Sequence, residues 1–190
     1  GLDQRIGDRF LRAGPAYGGS CFPKDTRALI DVANKYKIDL SIVKNVVKSN
    51  NQRKMILTKR IDKILKNRLK NKNITFLGVT FKPNTDDMRE ASSIPMINYL
   101  NKKGSKIRYY DPSGRKMEFD KLKNVKFYSS ISSACIKSDL IIIHTEWNAF
   151  KLLDFKKLVK KKNFKVFDMR NIYSHDKMRD LKIDYTSIGR

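Results

Sequence analysis

Cysteine is scarce. The 190 residues hold two, Cys21 and Cys135, far apart and in no C-x-x-C pair. Two thiols cannot build a disulfide framework, which excludes a stapled secreted scaffold and makes the reducing cytoplasm the expected location. No run of 18 apolar residues occurs, so no membrane span is expected. No basic stretch leads into an apolar run at the start, so no secretory signal is read there. The first residue is Gly rather than Met, which reads as a fragment or a processed chain. Repeats and low-complexity linkers are missing, and the apolar share of 40% is too high for a disordered chain. Acidic residues are few: 19 Asp+Glu stand against 42 Lys+Arg, a net charge of +23.

Such an excess marks a nucleic-acid-binding module when it gathers on one face beside exposed aromatics. Here the two densest stretches, 59–72 and 156–165, are broken by apolar residues. In the first, Ile61, Ile64, Leu65 and Leu69 recur at helical spacing. They read as solvated helix faces. A basic nucleic-acid module remains the alternative from a different class. Neither nucleic acid nor membrane is the expected partner, and no metal site is expected.

The chain changes character near residue 73. Residues 1–25 are Gly-rich and irregular. Residues 26–70 contain no Gly or Pro and carry apolar residues at helical spacing, among them Ile42, Val43, Val46 and Val47. The expectation is helix throughout, with Asp39 or Ser41 capping a second helix. Such a segment suits a spine or a dimer surface, so residues 1–72 are read as one unit. From 73 to 190 strands and helices alternate. Strands are expected at 74–79, 106–110, 125–128, 140–144 and 165–168. Helices are expected at 92–103, 130–137 and 154–161. This pattern gives an α/β fold: a helical segment followed by a Rossmann-like, doubly wound parallel sheet. The first strand leads into Gly78-Val79-Thr80-Phe81-Lys82-Pro83, not G-x-G-x-x-G, so the dinucleotide fingerprint is missing. Asp111 lies 33 residues after Gly78 rather than ~20, and reads as a turn residue rather than a ribose-binding acid.

The densest chemistry is Ala16-Tyr17-Gly18-Gly19-Ser20-Cys21-Phe22-Pro23-Lys24-Asp25, ahead of a helix expected from Thr26. Paired glycines let backbone approach a ligand. A cysteine near a helix start sits in the positive end of the helix dipole. Lys24 would add positive charge, and Asp25 would orient water or exchange a proton. Nucleophile, cation and carboxylate within five residues suit covalent catalysis. The residues alone also allow a buried cysteine, an Asp25 helix cap and a simple Phe22-Pro23 turn.

GGSCFPKD at 18–25, preceded by DQRIGDRFL at 3–11, resembles the cysteine segment of the nucleotide-sugar 6-dehydrogenases, the UDP-glucose/GDP-mannose dehydrogenase family. FLGVTFKPNTDDMREASS, YYDP, IIIHTEWNAF and VFDMRNIY follow in the same order, so the resemblance covers essentially the whole chain. It implies a central helical segment and a UDP-sugar domain. The N-terminal NAD-binding domain, with its G-x-G-x-x-G turn and upstream catalytic Lys and Asn, is not among these residues. It implies NAD-dependent four-electron oxidation of UDP-glucose to UDP-glucuronate through a thiohemiacetal and a thioester. GDP-mannose or a UDP-N-acetyl-hexosamine is the alternative substrate. The chain alone is expected to be inactive.

By the same resemblance Cys21 is the nucleophile, Asp25 assists water and proton transfer, and Lys24 has a less defined role beside them. Phe10, Tyr17, Gly18, Phe22, Phe81, Lys82 and Arg170 fall on the UDP-sugar site. Arg89 falls on NAD, and Arg5 reaches the site of a neighbouring subunit, implying a homodimer. Each has a plainer reading: Phe10 and Phe81 as core, Arg89 as a surface ion pair, and Trp147 as the close of a sheet end. Ala16 stands where the family has Gly, which would strain the loop if φ were positive there.

Overall fold

A computed structural model describes residues 1–189, except the side chains of residues 9 and 10. Phe10 therefore lies outside the described side chains. Two long helices, α1 (Cys21–Lys35) and α2 (Ser41–Ile64), come first. Then follow β1 (Asn73–Leu77), α3 (Ser93–Lys102), β2 (Lys106–Tyr110), β3 (Val125–Phe127), α4 (Ile131–Cys135), β4 (Leu140–Ile143), α5 (Phe155–Val159), β5 (Lys165–Asp168), α6 (His175–Asp180) and β6 (Asp184–Ser187). The six strands form one sheet in the order β3-β2-β1-β4-β5-β6, every pair parallel. Strand order reverses between β1 and β4, which opens a crevice at the carboxyl ends of those strands.

Side chains alternate across the pleat, so the central strands feed two cores. Leu140 and Ile142 pack with Phe76, Ile107 and Phe167 on one face, under α3 and the second half of α2. Ile141 and Ile143 join Val166, Phe155 and Met178 on the other. That is why β4 is an unbroken apolar run. Leu57 and Ile61 of α2, with Leu65 and Leu69 beyond its end, belong to the first core. The helix whose Asn50 and Arg53 hold the cysteine loop is thus anchored in the sheet.

The helical stretch expected over 26–70 is two helices, the second beginning at Ser41 and ending at Ile64. α1 closes at Tyr36, where Lys37 takes φ 57° and the Ile38 amide donates to the Ala33 carbonyl at 2.8 Å. A lysine in the left-handed position gives no Gly or Pro signal, so the end of α1 is silent in the sequence. Neither Asp39 nor Ser41 caps α2; Leu40 holds the cap position, and Ser41 is the first helical residue. α1 starts at Cys21 rather than Thr26, so Asp25 lies inside the helix and is not its cap. α6 and β6 were not foreseen, being short and mostly polar.

His144 is fully buried at the end of β4, with Nε2 2.8 Å from Ser92 Oγ and Nδ1 3.1 Å from Thr145 Oγ1. Burial pushes it down to about 3. The unfolded chain protonates this residue below its ordinary value of 6.5, whereas the folded chain does not. Stability is therefore lost as pH falls below 6.5. Between pH 7 and pH 5 the expected loss from His144 is about 2 kcal/mol. Urea denaturation at the two pH values measures it, and His144→Gln should flatten the difference.

Candidate functional site

The loop ahead of α1 is stitched to two elements. Arg53 of α2 donates to the Gly14 carbonyl at 3.2 and 2.9 Å. The Asn50 side-chain amide pairs with both backbone groups of Tyr17, accepting at 2.9 Å and donating at 3.1 Å. From the sheet side, the Gly19 amide donates to the Arg89 carbonyl at 2.8 Å. The glycines are needed for space. A Cβ on Gly18 would lie 2.7 Å from the Glu90 carbonyl oxygen, and one on Gly19 would lie 2.7 Å from the Phe81 ring. Gly19 also takes φ 84°, which only glycine adopts cheaply. Ala16 is not among the positive-φ residues, so its methyl strains nothing.

This stitching places Cys21 at the first helical position of α1, exposed, with Sγ 3.7 Å from Ser20 Oγ. The first amides of a helix point outward there, unpaired within the helix. Lys24 and Asp25 follow on the same turns and pair with each other at 3.3 Å, both largely exposed. The rings of Tyr17 and Phe22 stack at a tilt, 5.8 Å apart. Lys82 Nζ lies 5.3 Å from the Phe81 ring that supports Gly19. The Arg89 guanidinium is raised chiefly by its hydrogen bonds to Asp87, and the charge of nearby Cys21 adds to this. Arg89 is thus an exposed ion pair with Asp87, at 2.8 Å, and also within electrostatic range of Cys21.

A cleft of about 440 Å³ opens at the carboxyl ends of β1, β4 and β5, beside the strand-order reversal. Pro83 and Asn84, next to Lys82, form one wall, and Arg12 and Ala13 another. Arg170 lies on its floor, mostly buried and paired with Glu146. Burial draws the guanidinium down to about 10, which still leaves a full cation at neutral pH. A Cβ on Gly14 would overlap Arg170 Nη1, so the cysteine loop also roofs this arginine. Asp168 shapes the turn that presents it. Its carboxylate accepts from the amides of Arg170 at 2.9 Å, Ile172 at 2.8 Å and Tyr173 at 3.1 Å, and from the Tyr185 hydroxyl at 2.9 Å. Burial raises its pKa against those donors.

The structure brings Gly18, Gly19, Phe81, Lys82 and Arg89 into one neighbourhood around the start of α1. It sets Arg170 in the adjoining cleft. It does not bring in Arg5, which is 90% exposed and held by Asp3 at 2.7 Å. Trp147 packs against the second core, in line with its plainer reading. Asp111 is a turn residue as expected: its carboxylate accepts from Val79 at 2.8 Å, Thr80 at 3.4 Å and Ser113 at 2.9 Å. The first two use amides of the first strand–helix turn, which would otherwise cradle a pyrophosphate. The turn at 78–83 therefore does not fit the dinucleotide site of a usual Rossmann domain. Among the described residues no cluster of three His, Cys, Asp or Glu suited to a metal occurs, and no helix is long and apolar enough to cross a membrane.

Sequence reasoning missed Asn50, Arg53, Glu90, Glu146 and Asp168. Glu90, Glu146 and Asp168 lie inside quoted motifs, but nothing in those motifs points to their partners, and Asn50 and Arg53 lie in none. Asn50 meets Tyr17 across 33 positions.

Residues 75–175 match the UDP binding domain of the UDP-glucose/GDP-mannose dehydrogenase family, and residues 1–52 match its central domain. The chain is 40% identical over 192 residues to a UDP-glucose 6-dehydrogenase of Rickettsia typhi, and 38% identical over 193 residues to one of Rhizobium meliloti. Both alignments take in 100% of this chain but only 44% of the relative's length. A solved UDP-glucose dehydrogenase from Pyrobaculum islandicum superimposes with a TM-score of 0.78 at 28% identity, covering 98% of this chain and 40% of that one.

Proposed function

Since the chain belongs to the UDP-glucose/GDP-mannose dehydrogenase family, we propose that it supplies the nucleophile and the nucleotide-sugar site for oxidation of UDP-glucose to UDP-glucuronate. The observation that carries this reading is the junction at Gly19. One hydrogen bond and one ring contact fix the start of the Cys21 helix to the loop bearing Phe81, Lys82 and Arg89. The same loop closes over Arg170 at Gly14, which supports a thiol working beside a cleft that takes the nucleotide sugar.

The sugar's C6 alcohol must lose two hydrides. NAD is the acceptor that the family implies. The turn at 78–83 offers it no cradle, and Arg89 is the residue assigned to touch it. The chain's own residues act on the carbonyl. The Cys21 thiolate adds to the aldehyde carbon, and the resulting alkoxide takes a proton, giving a thiohemiacetal. Once that is oxidised, Cys21 holds a thioester. Water adds to its carbonyl, and the C–S bond breaks with the thiolate as leaving group. Asp25 accepts the water's proton, with Lys24 beside its carboxylate at 3.3 Å. Arg170 and Lys82 take the diphosphate, with Tyr17, Gly18, Phe22 and Phe81 along the sugar and nucleoside.

We assign residues 1–72 to the cysteine loop and pairing helices, and 73–190 to UDP-sugar binding. Half-exposed Leu29, Val32 and Val46 and largely exposed Ile42 and Ile56 on α1 and α2 support a homodimer through these helices, with solvent-facing Arg5 reaching the partner's site. Free Cys21 and buried Cys135 suit the cytoplasm.

Calorimetric titration of the chain with UDP, UDP-glucose and GDP-mannose tests the binding half of this reading. Uridine ligands are expected to bind at least about tenfold tighter than GDP-mannose. Equal affinity for the guanosine ligand would reject the substrate assignment.

A further inference from the structure

Lys54, on α2, is buried, with only 11% of its side chain exposed. A lysine so placed requires a counter-ion. It has one in Glu90, whose Oε2 lies 3.2 Å from Lys54 Nζ, while Oε1 accepts from Arg27 of α1 at 2.7 Å. One carboxylate from the loop before α3 thus ties both helices of the N-terminal part to the sheet. Arg27 first, then Lys54, hold its carboxyl below the usual range.

The backbone of the same residue is also committed. Glu90 takes φ 54°, a left-handed conformation unfavourable to a side chain with a Cβ. Its carbonyl oxygen fills the space that a Gly18 Cβ would need, and the preceding carbonyl, of Arg89, accepts from Gly19. Strain of this kind persists only where the surroundings over-determine it. Here they do so at the loop two residues before Cys21.

We propose that Glu90 is a positioning residue for Cys21. The Arg27–Glu90–Lys54 triad sets where the α1 start sits relative to Lys82 and the Arg170 cleft, and so sets the attack distance rather than ligand affinity. The catalytic part rests on the function proposed above; the positional part does not.

The test uses Glu90→Gln, which keeps the shape and removes the charge, and Arg27→Gln, which cuts the same clamp at an exposed site. In the full-length protein, uronate turnover is expected to fall about tenfold to a hundredfold with Glu90→Gln, with KM for UDP-glucose changed less than about threefold. Arg27→Gln should fall in the same direction by less. Amide exchange of Gly19 in the chain itself should speed up at least about tenfold, while β1 and β4 amides stay protected. Unchanged Gly19 exchange in both variants would overturn the proposal, and so would loosening spread equally through the sheet. If Gly19 loosens alone but wild-type protein makes no uronate, the functional reading fails and the positional one stands.

Discussion

Cys21→Ser in the full-length protein is expected to cut uronate formation by at least about a thousandfold, the scale seen when a covalent nucleophile is removed. The reason is chemical. A serine hydroxyl adds to an aldehyde, but it neither ionises readily at neutral pH nor leaves as easily as a thiolate from the acyl intermediate. Folding should be unaffected, because Cys21 is exposed and its Sγ lies 3.7 Å from the Ser20 hydroxyl rather than in the core. Quantifying uronate by chromatography, with thermal denaturation as the folding control, separates the two effects. Normal uronate output from the serine variant would remove Cys21 from the reaction. Cys135 is the internal comparison: fully buried, its thiol is pushed up to about 12, and Cys135→Ala should leave turnover alone.

The second large effect is expected at Arg170. Its guanidinium lies largely out of water on the cleft floor, facing Glu146. Removing a charged hydrogen-bond donor from such a site costs about 1.5–3 kcal/mol, so Arg170→Ala should weaken UDP binding by about tenfold to over a hundredfold. Lys82 is exposed, and Lys82→Ala should cost only up to about fivefold. Glu146→Gln works the other way. It frees Arg170 from an internal carboxylate that competes with an incoming diphosphate, and UDP should bind tighter. Calorimetry on the three variants checks the order. An Arg170→Ala variant with wild-type affinity would move the diphosphate elsewhere.

Five of the six strands were legible because they are short runs punctuated by Gly, Asn and Asp, whereas mostly polar β6 was not. The expected strand at 106–110 matches β2, and that at 165–168 matches β5. The start of a second helix near residue 41 was legible, but the way α1 closes was not, because a lysine rather than a glycine takes the left-handed position. In the site, the cysteine loop stood out through its composition, with both glycines explained by what a Cβ would strike. The clamps on that loop did not stand out. Asn50, Arg53 and Glu90 are ordinary polar residues whose meaning comes from partners 33–63 positions away. Arg5 is the opposite case: a motif pointed to it, but its contact within one chain is a neighbouring aspartate.

The most direct measurement is the number of NADH molecules formed per UDP-glucose consumed by the full-length protein. Two NADH for each UDP-glucuronate are expected, because the alcohol and the Cys21 thiohemiacetal are oxidised in turn. One NADH per sugar, with the aldehyde as product, would contradict the thioester route and with it the role given to Cys21.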